Sequence, residues 1–378
     1  MRRTLLRLGV GAGLALGLTA TIAPIAGAQG LRAHDGDAQH VVYVQNDNTS
    51  GNQVIAYDRA PNGALTYAAT YATGGLGGAL NGAKVDFLAS QGSLNWNAPH
   101  NLVLAVNAGS NTVSVFSSHD GALTLRQTIG SGGTFPSSIA SHGDLVYVLN
   151  ATSGGSVAGY RIDGHHLRAI PGSVRSLGLT TPTDPTQFTH TPGQVAFSPD
   201  GSQLLVTTKA TTSAVDVFSV ARDGRLSATP TVNVEAGTVP FAVSFDRAGR
   251  LVVADAGTNA VTTYWLHHDG TVSYLNNVAT GQQATCWITT ARGFFYASNA
   301  GSGNVTTLHT GPLTKLALTT TDPGTVDAAA TPWGRFLYVQ TGLNGIVDEF
   351  SVAPNGTLSP IGTVTVPGGI GGEGIVAI

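Results

Sequence analysis

Asp120-Gly121-Ala122-Leu123 follows the alternating run Val113-Ser114-Val115-Phe116, and the same phrase, Asn/Asp-Gly-x-Leu/Val, punctuates the whole chain. It returns as Asn62-Gly63-Ala64-Leu65, Asp163-Gly164 with Leu167, Asp223-Gly224-Arg225-Leu226, Asp269-Gly270-Thr271-Val272 and Asn355-Gly356-Thr357-Leu358. Gly311-Pro312-Leu313 is a weaker copy. Asn-Gly and Asp-Gly supply two residues that tolerate positive φ, so each copy reads as a type I′ β-hairpin turn. The copies lie roughly 40 to 60 residues apart, the period of propeller blades rather than of helical solenoids.

A second phrase keeps step with the first. It is a short apolar strand ending in a small polar residue, as in Val42-Tyr43-Val44, Val146-Tyr147-Val148, Phe295-Tyr296-Ala297 and Leu337-Tyr338-Val339. A loop rich in Gly, Asn, Ser and Thr follows, then another strand. An earlier strand often precedes the pair, such as Gln194-Val195-Ala196-Phe197 before Ser198-Pro199-Asp200-Gly201. The pattern predicts an all-β fold: a seven-bladed β-propeller with four antiparallel strands per blade. The first blade, starting near His40, lacks an innermost strand, and Gly374-Ile375-Val376-Ala377-Ile378 resembles one with nothing after it. The C-terminal strand is therefore expected to join the first blade and close the ring, removing an open edge.

Composition narrows the function. Charged residues are 10% of the 378, and the formal charge is −3. No basic stripe is available for phosphates, which argues against nucleic acid. Residues 1–28 read as a signal peptide: Arg2, Arg3 and Arg7, an apolar run from Leu14 to Ile25, then Ala26-Gly27-Ala28. Arg2-Arg3 also loosely fits a twin-arginine signal. The expectation is an exported protein, secreted, periplasmic or at the cell surface, with no stable membrane insertion after cleavage. Residues 29–39 read as a disordered polar segment and 40–378 as the propeller, with insertions at about 75–100 and 172–190. The single Cys286 permits no internal disulfide.

The phrases Ala105-Val106-Asn107-Ala108-Gly109-Ser110-Asn111-Thr112, Tyr296-Ala297-Ser298-Asn299-Ala300-Gly301 and Gly334-Arg335-Phe336-Leu337-Tyr338-Val339 carry a resemblance. Residues 40–378 resemble the lactonase-like seven-bladed propellers, the group of 6-phosphogluconolactonase and carboxymuconate-lactonizing enzyme. The resemblance implies His, Arg and Glu side chains around the central channel. A Gly-Pro-Arg-His phrase is matched here by Thr191-Pro192-Gly193-Gln194, an Asn-Glu-Leu phrase by Thr207-Thr208-Lys209-Ala210, and a Ser-Asn-Arg-Gly phrase by Ser298-Asn299-Ala300-Gly301. All three depart from the pattern, so the family catalytic residues are expected to be replaced.

In such a ring, the ends of the second strands and the starts of the innermost strands surround one mouth of the channel, a usual ligand site. The candidate ligand-binding residues are therefore Gln194, Lys209, Asp255, Asn299, Glu373, Asn107, Asn150 and Trp287; catalytic residues cannot be assigned. The Asn and Asp residues could equally cap turns. Cys286 could be a nucleophile but has no His nearby in sequence, and packed burial is the commoner state. The paired histidines at 165–166 and 267–268, with His119, sit in hairpin turns and read as solvated rather than as a metal site. No cofactor or metal motif is found. The reading is a monomeric binding propeller for a small polar molecule or protein partner. The alternative is a lactone hydrolase using Lys209 with Asp255 or Glu373.

Overall fold

A computed structural model describes residues 40–378; the signal-peptide and polar-segment readings over 1–39 lie outside the described residues. The described chain forms seven antiparallel sheets of the propeller type. The innermost strands are Ile375–Ala377, Leu94–Asn97, Pro136–His142, Val195–Phe197, Pro240–Phe245, Thr285–Ala291 and Thr325–Ala330, for blades one to seven. The second strands are Val41–Gln45, Leu102–Asn107, Leu145–Asn150, Gln203–Thr207, Leu251–Asp255, Phe294–Asn299 and Phe336–Thr341. Every residue of the second strands is buried, because neighbouring blades cover both faces; this is why they read as continuous apolar runs rather than alternating ones. Outer strands are more exposed, and some alternate, as in Thr231–Val234. The outer edge of blade three is split between His166–Ala169 and Arg175–Ser176.

The ring closes as the sequence predicts. Val42, Tyr43 and Val44 pair antiparallel with Ala377, Val376 and Ile375, so the first blade takes its innermost strand from the C-terminus.

The turn type is corrected. Only Asp120-Gly121 has both residues at positive φ, 49° and 81°. At Gly63, Gly224, Gly270 and Gly356 only the glycine is positive, and its N–H bonds the carbonyl three residues back, at Ala60, Ala221, His267 and Ala353. These are type I turns closed by a glycine bulge. The preceding Asn or Asp accepts from the amide two residues on, as Asp223 does from Arg225 at 3.0 Å, and needs no positive φ for that.

These turns lock one blade to the next. A Cβ on Gly63 would lie 2.4 Å from Phe336, on Gly121 2.6 Å from Val41, and on Gly356 2.6 Å from Phe294. In each case the turn rests on the first residue of the preceding blade's second strand. The third residue of that strand is a buried Tyr whose hydroxyl donates to the turn glycine's carbonyl. Tyr43 reaches Gly121 at 3.0 Å, Tyr147 Gly224 at 2.8 Å, Tyr296 Gly356 at 2.9 Å and Tyr338 Gly63 at 2.7 Å. Other side chains do this job at the remaining interfaces: Gln127 to Leu167, Gln203 to His267 at 2.9 Å, and Arg250 to Gly311 at 3.0 Å. Tyr296→Phe or Tyr338→Phe should each cost about 1–2 kcal/mol in chemical unfolding, because a buried carbonyl loses its donor. Tyr67→Phe, at a Tyr that is 54% exposed, should cost almost nothing. Equal effects at the three sites would contradict the clasp.

Candidate functional site at the central channel

The mouth expected to hold a ligand is filled by the chain itself. Two insertions meet above it: Asn81 donates to the Thr183 carbonyl at 2.8 Å, and the Asn81 amide bonds Gln187 at 2.9 Å. The first insertion then enters the channel over residues 85–93. Asp86 sets its path, accepting from the amides of Leu88 and Ser90, both at 2.8 Å, with Ala89 between them at a φ of 49°.

The surrounding blades grip this segment. Trp287 Nε1 donates to the Ser90 carbonyl at 2.6 Å, and its ring packs on Phe241 with centroids 4.8 Å apart. The Gln91 side chain exchanges two bonds with the backbone of Ile288, at 2.9 and 3.1 Å. Ser90 donates to Ser137 and Ser138 donates to Gln91, on blade three. Glu373 Oε1 accepts from the Gly92 amide at 2.7 Å, and Ser93 donates to the Glu373 carbonyl at 2.6 Å. The glycines of the C-terminal approach follow from this contact: a Cβ on Gly371 would lie 2.4 Å from the Phe87 ring, and one on Gly374 2.2 Å from Ser93 Oγ.

Lys209 joins both insertions. It opens the four-residue helix Lys209–Thr212 after the second strand of blade four. Its Nζ donates to the carbonyls of Ala89 and Phe188, both at 2.6 Å, and to Thr191 Oγ1 at 3.0 Å. An ammonium has three protons, and all three are engaged. The Phe241 ring centroid lies 5.2 Å away.

Four carboxyls share this interior: Asp47, Asp86, Asp327 and Glu373. Asp47 accepts from the Glu373 amide at 2.9 Å and from Gln45. Glu373 Oε2 meets no donor and lies by Asp327, so a proton held between the two acids is the arrangement that satisfies both. Burial pushes Asp47 up to about 8 and Asp86 up to about 7. Glu373 is raised well above the carboxylate range, first by burial and then by the neighbouring acids. Burial pulls Lys209 down to about 7, against the opposing pull of Asp86. Cys286 is buried in an apolar cluster and burial raises its thiol to about 12, which suits packing rather than nucleophilic attack.

Of the residues singled out by sequence, Lys209, Trp287 and Glu373 meet around the inserted segment. The others do not join them. Asp255 accepts from Thr262 and has Glu235 as its neighbouring acid. Gln194 accepts from the Val243 amide at 2.6 Å, tying innermost strands of blades four and five. Asn107 accepts from Asn52 and donates to Ser114, Asn150 donates to Ser131, and Asn299 accepts from Thr285 and donates to Thr306. Asp86 and Gln91 escaped the sequence reading. Their signals were a carboxylate amid Val85, Phe87 and Leu88, and the glycine run before Glu373. Below the segment the bore remains open as a recess of about 340 Å³, lined by Gln91, Asn95, Trp96, Thr289 and Asp327 with the apolar strand Ile375–Ala377. Among the described residues no group of His, Cys, Asp and Glu is placed to hold a metal, and no helix is long and apolar enough to cross a membrane.

The acids set a pH dependence. Raised carboxyls hold protons in the folded state that the unfolded chain releases at its usual pKa near 4. Their stabilisation is complete below that value and is lost as pH rises through the folded values, up to about 8 at Asp47. Lys209 acts in the opposite sense, adding stability as pH rises above about 7. The acids outnumber it, so the melting temperature should fall between about pH 5 and about pH 8. A rise across that interval would contradict the buried acid cluster.

No family model matches the sequence, and no curated protein matches it. Solved structures do match. A protein from Bacteroides fragilis assigned as a 6-phosphogluconolactonase superposes with a TM-score of 0.71 at 19% identity, covering 89% of this chain and 97% of that one. The periplasmic gluconolactonase of Pseudomonas aeruginosa gives 0.69 at 17%, covering 89% and 98%. Virginiamycin B lyase of Staphylococcus aureus gives 0.52 at 13%, covering 74% and 84%. Identities this low speak for the fold. The chain has the fold of the lactonase-like seven-bladed β-propellers.

Proposed function

We propose that this is an exported, monomeric binding propeller that takes a small polar molecule into the open end of its bore and does not hydrolyse lactones at the filled mouth. One observation carries the reading: Lys209, the cation at that mouth, has all three protons on oxygens of the chain. A group acting on a substrate must reach it, and Lys209 is 1% exposed and Glu373 0%. Gly193, Gln194, Lys209 and Ala300 stand where the resembling enzymes carry Arg, His, Glu and Arg, which agrees with lost lactone chemistry. The open recess offers Asp327, Asn95 and Thr289 as polar contacts and Trp96 as an apolar wall. Export rests on the leader pattern of residues 1–28. The periplasmic location of the Pseudomonas aeruginosa neighbour is in keeping with it.

The competing reading is a lactone hydrolase, favoured by the names of the structural neighbours. It requires residues 85–93 to leave the channel. Glucono-1,5-lactone hydrolysis by the purified protein separates the two. The expected result is no rate above spontaneous hydrolysis. A saturable rate that Lys209→Met abolishes would overturn the proposal. Lys209→Met itself should destabilise by about 3 kcal/mol, since three buried oxygens lose their donor. Small amines and polyols should raise the melting temperature of the wild type more than that of Asp327→Asn, and no shift with either protein would contradict binding in the bore.

A further inference from the structure

A second cleft lies where the inner hairpin turns of blades five, six and seven come together. Its walls are Phe245-Asp246-Arg247, Thr290 to Gly293 and Thr331 to Gly334, and its volume is about 180 Å³. A glycine brings the last two walls together: a Cβ on Gly334 would lie 2.7 Å from the Arg292 amide nitrogen. Arg292 and Gly293 form a tight turn between Ala291 and Phe294 with φ of 51° and 84°. Left-handed backbone is unfavourable for Arg, and such residues concentrate at binding sites.

The polar groups here are unevenly matched. Asp246 is committed: it accepts from Arg250 Nε at 2.7 Å and from the amides of Ala248 and Arg250. Arg247 and Arg292 form no hydrogen bond or ion pair among the described residues, and Arg292 Nε is buried without a partner. Beside them stands Trp333, 83% exposed, the most exposed large apolar side chain described. In a chain with 18 Lys and Arg and a net charge of −3, two free guanidiniums next to a bare indole are a distinct chemical combination.

We propose that this cleft binds a carboxylate-bearing sugar ring. The guanidinium forks of Arg247 and Arg292 match a carboxylate. The indole of Trp333 offers a flat apolar surface for the C–H face of a ring. The volume, equal to about six waters, fits one ring and its acid group. A bare anion would leave Trp333 uncovered, and a neutral sugar would leave both arginines unpaired. The site is separate from the filled mouth and does not depend on whether lactones are hydrolysed there.

Calorimetric titration with D-glucuronate, D-glucose, benzoate and inorganic phosphate tests the assignment. Glucuronate should bind, with glucose weaker by about tenfold or more, the worth of a charge-assisted bond. The double substitution Arg247→Gln with Arg292→Asn should weaken glucuronate by at least the same factor while leaving the melting temperature unchanged, since Asn accepts the left-handed turn. Trp333→Ala should also weaken it. No glucuronate binding by the wild type, or binding unaffected by these substitutions, would overturn the proposal. Phosphate or benzoate binding as tightly as glucuronate would overturn the sugar assignment.

Discussion

A buried ammonium must be fully hydrogen-bonded or it makes the fold that contains it costly. Lys209 meets that constraint with two carbonyls and one hydroxyl, and these come from two separate insertions. The carbonyl of Ala89 belongs to the segment between blades one and two; Phe188 and Thr191 belong to the segment between blades three and four. One side chain thus fixes both over the same mouth. The rest of that face follows. Asp86 shapes the first segment, Trp287 and Gln91 bind it to blade six, and Glu373 binds it to the strand that closes the ring. Closure and filling are therefore one structural event, because Glu373 sits one residue before Gly374 at the start of the last innermost strand.

The ring that receives this segment is held by a smaller repeated device. A tyrosine in the middle of a second strand bonds the carbonyl of a turn glycine in the next blade, and the glycine lacks the Cβ that would prevent the approach. The glycine is required twice, by its positive φ and by the side chain beneath it. Gln127, Gln203 and Arg250 serve where the strand carries no tyrosine.

The fold was legible because its signals are local. Val-Tyr-Val strands, Asn/Asp-Gly turns and the unpaired last strand each predict a neighbour within one blade or at the seam. The turn type was not, because Asn62-Gly63 and its equivalents are embedded in loops whose length selects a type I turn with a bulge, and that length depends on strand ends. The site was half legible. Lys209 and Glu373 stood out in a chain with few charges, and both do reach the channel. Asp255 does not meet them, since its side chain turns to Thr262 within its own blade. The asparagines ending second strands bond nearby loops, the bland alternative that their residue type allows. The path of residues 85–93 could not be read, because it is fixed by contacts with blades one, three, four and six, and an insertion in sequence says nothing about which way it turns.

Hydrogen exchange at Leu88, Ser90, Gln91 and Gly92 tests the filled mouth most directly. Their amides bond Asp86, Asp86, the Gly193 carbonyl and Glu373. Protection comparable to that of the second strands is expected, lost only when the ring unfolds. Exchange as fast as that of an exposed loop, with the blades still protected, would contradict the filled mouth and show it to be open.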